Sequence, residues 1–203
     1  ARKNSLLLHI DASFGGFIIP FLKGSKFHLP LSDFKFPGVS SVSLDSHKMG
    51  VSPIPSSCIL FRKKNLINNI KINVGYLSGG SEPRPTLLGT SPGASIITLW
   101  TILNFNGKTG YRKIVNQCME NTTYLYEELL KIHNVTVIQK PTLNIIGFKI
   151  NSNHRLIINI LRQYGWSISV FPTHIRLVIM PHIRRKHIDM FLKDLQIILK
   201  NTL

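Results

Sequence analysis

The run Ser41-Val42-Ser43-Leu44-Asp45-Ser46-His47-Lys48-Met49-Gly50 is the stretch that most limits how this chain can fold. Val42 and Leu44 alternate with serines, the period of two that buries one face of a strand, and the alternation stops at a polar cluster carrying a lysine and then a glycine. A strand that ends this way belongs in an α/β sheet, where side chains at the carboxyl ends of strands face the crevice that ligands enter. Lys48 then reads in two ways. It is a solvated charge at a strand end, or it is a nucleophile whose usual covalent task is a Schiff base with a carbonyl compound.

A second strand end bears on that choice. Leu6-Leu7-Leu8 leads into His9-Ile10-Asp11-Ala12-Ser13-Phe14-Gly15-Gly16-Phe17, so Asp11 also closes an apolar strand, and the small residues after it let a flat ring approach the backbone. The chain has nine acids in all, and two of them sit at the ends of these two strands. A lysine to hold an aldehyde and a carboxylate to keep a pyridine nitrogen protonated form the pair that a pyridoxal-phosphate enzyme needs. The segments HIDASFGGFIIPFL, SVSLDSHKMG, PIPSSCILFR and LLGTSPG, in this order, resemble the group II pyridoxal-phosphate decarboxylases. Within that group they are most similar to the archaeal L-tyrosine/L-aspartate decarboxylases, as are YRKIVNQCMENTTYLYEEL and RLVIMPHIRRKHID further on. The resemblance covers nearly the whole chain.

This resemblance implies an α/β fold: the C-terminal part of the large domain of a fold-type-I pyridoxal-phosphate enzyme over residues 1–110, then a small C-terminal α/β domain over 111–203 that begins with a long bridging helix. It implies pyridoxal 5'-phosphate as cofactor, an amino acid as substrate (L-tyrosine to tyramine or L-aspartate to β-alanine), and a homodimer with shared active sites. By the same resemblance Lys48 forms the Schiff base, Asp11 pairs with the pyridine nitrogen, His47 contacts the phosphate, and Gly89 and Thr90 reach the phosphate of the neighbouring subunit. Ser13 stands where the family usually has alanine against the ring. Ser57 and Cys58 replace glycines before the ILF strand, and Ser91 replaces an arginine after the Gly-Thr pair. His47 also reads as a strand-end histidine bonded to backbone. Arg176, on a later strand, is the remaining candidate for the substrate carboxylate, because arginine pairs with carboxylates in a bidentate fashion. The first residues already form an apolar strand, and the family carries a further N-terminal half, so upstream sequence is expected. Two other readings stay open: a non-catalytic remnant acting as a basic interaction module, and another lyase of the same cofactor fold, such as a sphingosine-phosphate-type lyase.

The formal charge of +16 invites a polyanion-binding reading. Its clusters, Arg62-Lys63-Lys64 and Arg184-Arg185-Lys186, are short, far apart and not interleaved with aromatics, so no nucleic-acid partner is expected. Cys58 and Cys118 have neither metal-ligand nor redox-pair spacing, which points to free thiols and no metal. The apolar run from Phe17 is broken by Pro20 and Lys23, too early for a membrane span. With no signal peptide visible, a cytoplasmic location is expected.

Along the chain, 23–38 reads as a connection anchored by Phe27, Phe34 and Phe36, and Cys58-Ile59-Leu60-Phe61 as a strand beside the lysine strand in an antiparallel or mixed sheet. Residues 77–95 read as loop, ending in a Ser91-Pro92 helix start. The helix over 92–106 is apolar on most sides and is expected to be buried, with Asn106-Gly107 ending it. A long helix follows over about 109–132, then strands at 136–138 and 144–150, a helix over 154–164 closed by Gly165, strands at 167–171 and 175–180, and an amphipathic helix over 184–200. His182 is weighed as a cap for that last helix.

Overall fold

The computed structural model describes residues 1–29, 33–76, 80–86 and 92–202, apart from the side chains of Arg2 and Glu82. The chain divides into two compact units, one formed by Ala1–Gly24 and His28–Gly110, the other by Ser25–Phe27 and Tyr111–Leu203.

In the first unit β1 (Leu8–Asp11) lies parallel to β2 (Val39–Asp45), and β2 lies antiparallel to β3 (Ser57–Phe61), giving the mixed sheet β1-β2-β3. Asp11 is in register with Ser43, and Asp45 with Ser57. The alternation in β2 is only partly realised: Val42 is buried but Leu44 is half-buried, and the second buried residue is Val39, three positions away and so out of the period of two; Phe17, Ile18 and Leu22 from short helical turns and Met49 from the lysine turn are buried as well. Gly16 passes so close to the Leu44 side chain that no Cβ would fit between them. A hairpin of β4 (Ile72–Val74) and β5 (Glu82–Arg84) also forms, so part of the stretch expected to be loop is a strand. Pro83 disguises it, since proline cannot donate to a ladder and is tolerated only on an edge such as this two-stranded pair.

The connection before β2 is not held as expected. Phe36 is exposed, and Phe34 lies under the Arg62 guanidinium, 5.4 Å from ring centroid to Cζ. Arg62 holds the segment instead, donating to the carbonyls of Val39 at 2.5 Å and of Phe34 and Phe36 at 2.6 Å.

α1 (Gly93–Leu129) is interrupted at Gly107, whose φ of 53° and ψ of −168° are not helical. That is where Asn106-Gly107 was expected to end a helix. The turns before Gly107 are not buried: Ile96, Ile97, Trp100, Leu103 and Phe105 are all exposed. An apolar composition shows that a helix needs a covering surface but does not supply one.

The second unit is a four-stranded antiparallel sheet, β6 (Val135–Val137), β7 (Ile145–Ile150), β8 (Ser169–Val170) and β9 (Ile175–Val178), in the order β6-β7-β9-β8. α2 (His154–Gln163) starts where the Asn153 side chain accepts the Leu156 N–H at 3.2 Å. It stops at Gly165, whose φ of 87° lets Gly165 N–H reach Arg162 O at 2.9 Å and Trp166 N–H reach Leu161 O at 3.0 Å, a Schellman closure. Ile157, Ile158 and Leu161 of α2, and Ile188, Phe191, Leu192, Leu195, Ile198 and Leu199 of α3 (Arg185–Thr202), form one core with Ile146, Phe148 and Ile150 of β7. Trp166 fixes α3 by donating to Asp194 at 2.8 Å and meeting Phe191 edge-on at 5.3 Å. At the start of α3 it is His187, not His182, whose Nδ1 accepts the Arg184 N–H, at 3.2 Å.

Candidate functional site

β1 and β2 run the same way, so their carboxyl ends lie together, and the antiparallel β3 begins at that same end. The Ala12 N–H donates to Ser43 O at 3.0 Å and the Asp45 N–H to Ser13 O at 3.2 Å, stitching the two strand ends. Asp11, Ser13, His47 and Lys48 are therefore brought to one edge of one sheet. Asp11 is exposed, and its Oδ1 accepts from the Ser13 N–H at 3.0 Å, the Ser13 hydroxyl at 2.5 Å and the Ser43 hydroxyl at 3.2 Å. The Ser13 hydroxyl, then the Ser13 N–H and the Ser43 hydroxyl, hold this carboxyl below the usual carboxylate range.

The lysine turn is wound tightly. Ser46 is fully buried and its hydroxyl donates to Ser56 O at 2.9 Å, while Met49 is buried in the core. Gly50 passes over Ser46 so closely that a Cβ would stand 2.5 Å from Ser46 O. With its neighbours Ser46 and Met49 turned inward, Lys48 projects to the rim, where Nζ pairs with Asp45 Oδ2 at 2.6 Å. Asp45 is lowered by its hydrogen bonds from Lys48 and then Ser57, against the opposing effect of burial. The reading from sequence takes Asp45 only as an acid at a strand end and Ser57 only as a replacement for a glycine, and it joins neither to Lys48. The lysine three positions beyond Asp45 is the signal for the first, whereas Ser57 reaches Asp45 only through the β2–β3 register.

His47 does what its structural alternative anticipates: Nδ1 lies 2.7 Å from Ser56 O, and its backbone N–H donates to the same carbonyl at 3.1 Å. With Nδ1 donating to a carbonyl, Nε2 of the neutral ring is an acceptor, and it can donate to an anion only as imidazolium. Cys58 is half-buried and its thiol is pushed up by burial and by the charge of Asp45, so it is no ready nucleophile. Cys118 is buried and its thiol is pushed up to about 11.

The other candidates are not gathered here. Gly89, Thr90 and Ser91 lie outside the described residues. Arg176 is on β9 in the second unit, exposed, with its guanidinium 5.2 Å from the Phe171 ring, which in turn stacks on His174 at 4.8 Å.

One carboxylate held ionised, one primary amine and one imidazole at the end of a single sheet are a donor set suited to a phosphorylated pyridine aldehyde. Residues 1–151 match the pyridoxal-dependent decarboxylase conserved domain. The chain belongs to the pyridoxal-dependent decarboxylases. It is 46% identical over 205 residues to the probable L-tyrosine/L-aspartate decarboxylase of Methanosphaera stadtmanae, covering all of this chain and 52% of that protein. It is 42% identical to the L-aspartate/L-glutamate decarboxylase of Pyrococcus horikoshii, again over 52% of that protein. The chain thus spans about half the length of the curated relatives it matches. Among solved structures, the Burkholderia pseudomallei sphingosine-1-phosphate lyase matches at a TM-score of 0.85 and 25% identity, over 98% of this chain and 46% of that one. The Lactobacillus brevis glutamate decarboxylase matches at 0.83 over 98% of this chain and 49% of that one, and at 21% identity it bears on the fold alone. The fold is therefore that of pyridoxal-phosphate decarboxylases and lyases.

Proposed function

We propose that the complete protein is a pyridoxal-phosphate-dependent decarboxylase of an L-amino acid, L-aspartate or L-tyrosine, and that this chain carries its lysine and its ring-nitrogen carboxylate. Aspartate is the substrate named in common for the Methanosphaera and Pyrococcus relatives, and we place it first. The observation that carries the reading is the juxtaposition of Asp11 and Lys48 at adjacent strand ends of one sheet, on β1 and just past β2.

When bound, pyridoxal phosphate supplies an electron sink for the pair left on the α-carbon as CO2 departs. Lys48 would hold the aldehyde carbon and exchange it for the substrate amine, with Asp45 as the partner of its ammonium whenever that amine is free. Asp11 would keep the proton on the ring nitrogen, since a carboxylate beside that nitrogen favours its charged form. His47 would reach the phosphate through Nε2, its ring being fixed by the Ser56 carbonyl. Ser13 would lie against the ring. Gly89 and Thr90 are proposed to serve the phosphate of a second subunit in a homodimer, and Arg176 to meet the substrate carboxylate. On this reading, residues 1–110 belong to the large domain and 111–203 form the small one.

Borohydride treatment of the complete protein with pyridoxal phosphate, followed by peptide mapping, should place the pyridoxyl group on Lys48. An amine assay with both amino acids then separates β-alanine from tyramine formation. A pyridoxyl group on another lysine, with Lys48 unmodified, overturns the assignment.

A further inference from the structure

The hydrogen bonds to Asp11 fall on one oxygen. Among the described residues Oδ1 takes all of them, the Ser13 N–H at 3.0 Å, the Ser13 hydroxyl at 2.5 Å and the Ser43 hydroxyl at 3.2 Å. A carboxylate oxygen offers about two lone-pair directions, so three donors saturate Oδ1 and a further donor is directed to Oδ2. The cradle is not a loose loop arrangement, because Ser43 is the register partner of Asp11 on the neighbouring strand and Ser13 O accepts the Asp45 N–H at 3.2 Å.

We propose that Ser13 and Ser43 are positioning residues that occupy Oδ1 of Asp11, leave Oδ2 to meet the protonated ring nitrogen, and moderate how strongly the carboxylate holds that proton. This rests on the function proposed above. Each hydrogen bond donated to the carboxylate spreads its negative charge and makes it a weaker base. The two hydroxyls can be removed one at a time without touching the Ser13 N–H bond, so the site has a graded control over the basicity of Asp11. Among the described residues, few other titratable groups stand near Asp11. His9 stands on its own strand, where it lowers Asp11 and has its Nδ1 2.8 Å from the Ser41 hydroxyl, and Asp45 and Lys48 stand at the end of β2 paired with each other.

The test uses the complete protein, cofactor-free, labelled with 13C at aspartate side-chain carboxyls, with the Asp11 resonance assigned by its loss in Asp11→Asn. Ser13→Ala should raise the titration midpoint of Asp11, Ser43→Ala should raise it less, and the double variant most, while Ser13→Thr and Ser43→Thr keep the wild-type value. With 15N-labelled pyridoxal phosphate added, the ring nitrogen resonance of Ser13→Ala should move away from the protonated position, because the more basic carboxylate draws the shared proton toward itself. An Asp11 midpoint unmoved in both alanine variants overturns the proposal, as does a midpoint that moves equally in the threonine variants, which would reflect general loosening of the strand end. The two readings fail separately. Raised midpoints in a protein that takes up no cofactor on Lys48 sink the function and keep the cradle, whereas normal uptake with unmoved midpoints sinks the cradle alone.

Discussion

At the scale of single residues, the site is a set of charges whose partners decide their state. Asp45 is the residue to test, because it is the more enclosed of the two strand-end carboxylates and holds Lys48 at 2.6 Å. Its pKa is lowered, by Lys48 and then Ser57. A carboxyl lowered in the folded state contributes stability that is fully present above its unfolded value, near pH 4, and is lost as pH falls through the folded value. The first unit should therefore lose stability below about pH 4, and Asp45→Asn should flatten that acid limb in urea midpoints measured against pH. The difference at neutral pH should be under about 1 kcal/mol, as for other partly exposed ion pairs. An unchanged acid limb would show that the pair does not form in solution. The placement of Lys48, Asp11 and His47 together was legible from sequence because each closes a strand or adjoins its end. Ser43 and Ser57 were not, because their roles pass through cross-strand register, which a serine-rich run does not reveal.

At the scale of elements, the second unit was read nearly whole. Its apolar residues recur at the helical period in α2 and α3 and at the strand period in β7, and Gly165 marks the end of α2. The misses follow from signals that cancel: the β5 strand carries a proline, and the 3₁₀ segment Lys64–Ile70, rich in asparagine, has no period to announce it. The lysine turn is the element on which the proposed function depends, and Gly50 is its weak point. A methyl group there would stand 2.5 Å from Ser46 O and 2.7 Å from Ser46 Cα, backbone atoms that cannot move aside cheaply. Gly50→Ala should lower the stability of the first unit by roughly 1–3 kcal/mol, the usual cost of overpacking. It should also slow borohydride-trapped labelling at Lys48, because the turn that carries the amine must open. Thermal melts and peptide mapping read both effects, and a variant with wild-type melting and labelling would show that the turn relaxes without strain.

At the scale of the whole molecule, the two units differ in how well they close. The second buries aliphatic and aromatic side chains from the end of α1, from α2 and α3 and from a sheet in one cluster, each worth about 1.5–3 kcal/mol against exposure. The first leaves Leu6, Leu7, Ile59, Leu60, Ile96 and Ile97 exposed, with Trp100 at 67% and Phe105 at 89% of full exposure. Apolar surface of that extent drives association when nothing covers it. The isolated 203-residue chain should accordingly show uneven stability, with the second unit persisting while the first opens and self-associates. Limited proteolysis should cut within residues 1–110 while fragments from about 111 onward survive, and light scattering should show concentration-dependent association. The double variant Trp100→Glu/Phe105→Lys removes the two most exposed rings of the helix without entering the second unit's core. It should weaken association several-fold in dissociation constant and leave the melting of the second unit unchanged. A monodisperse monomer with the Asp11 and Lys48 strands as protected as β7 would defeat this expectation, because the exposed rings would then have found cover within the chain itself.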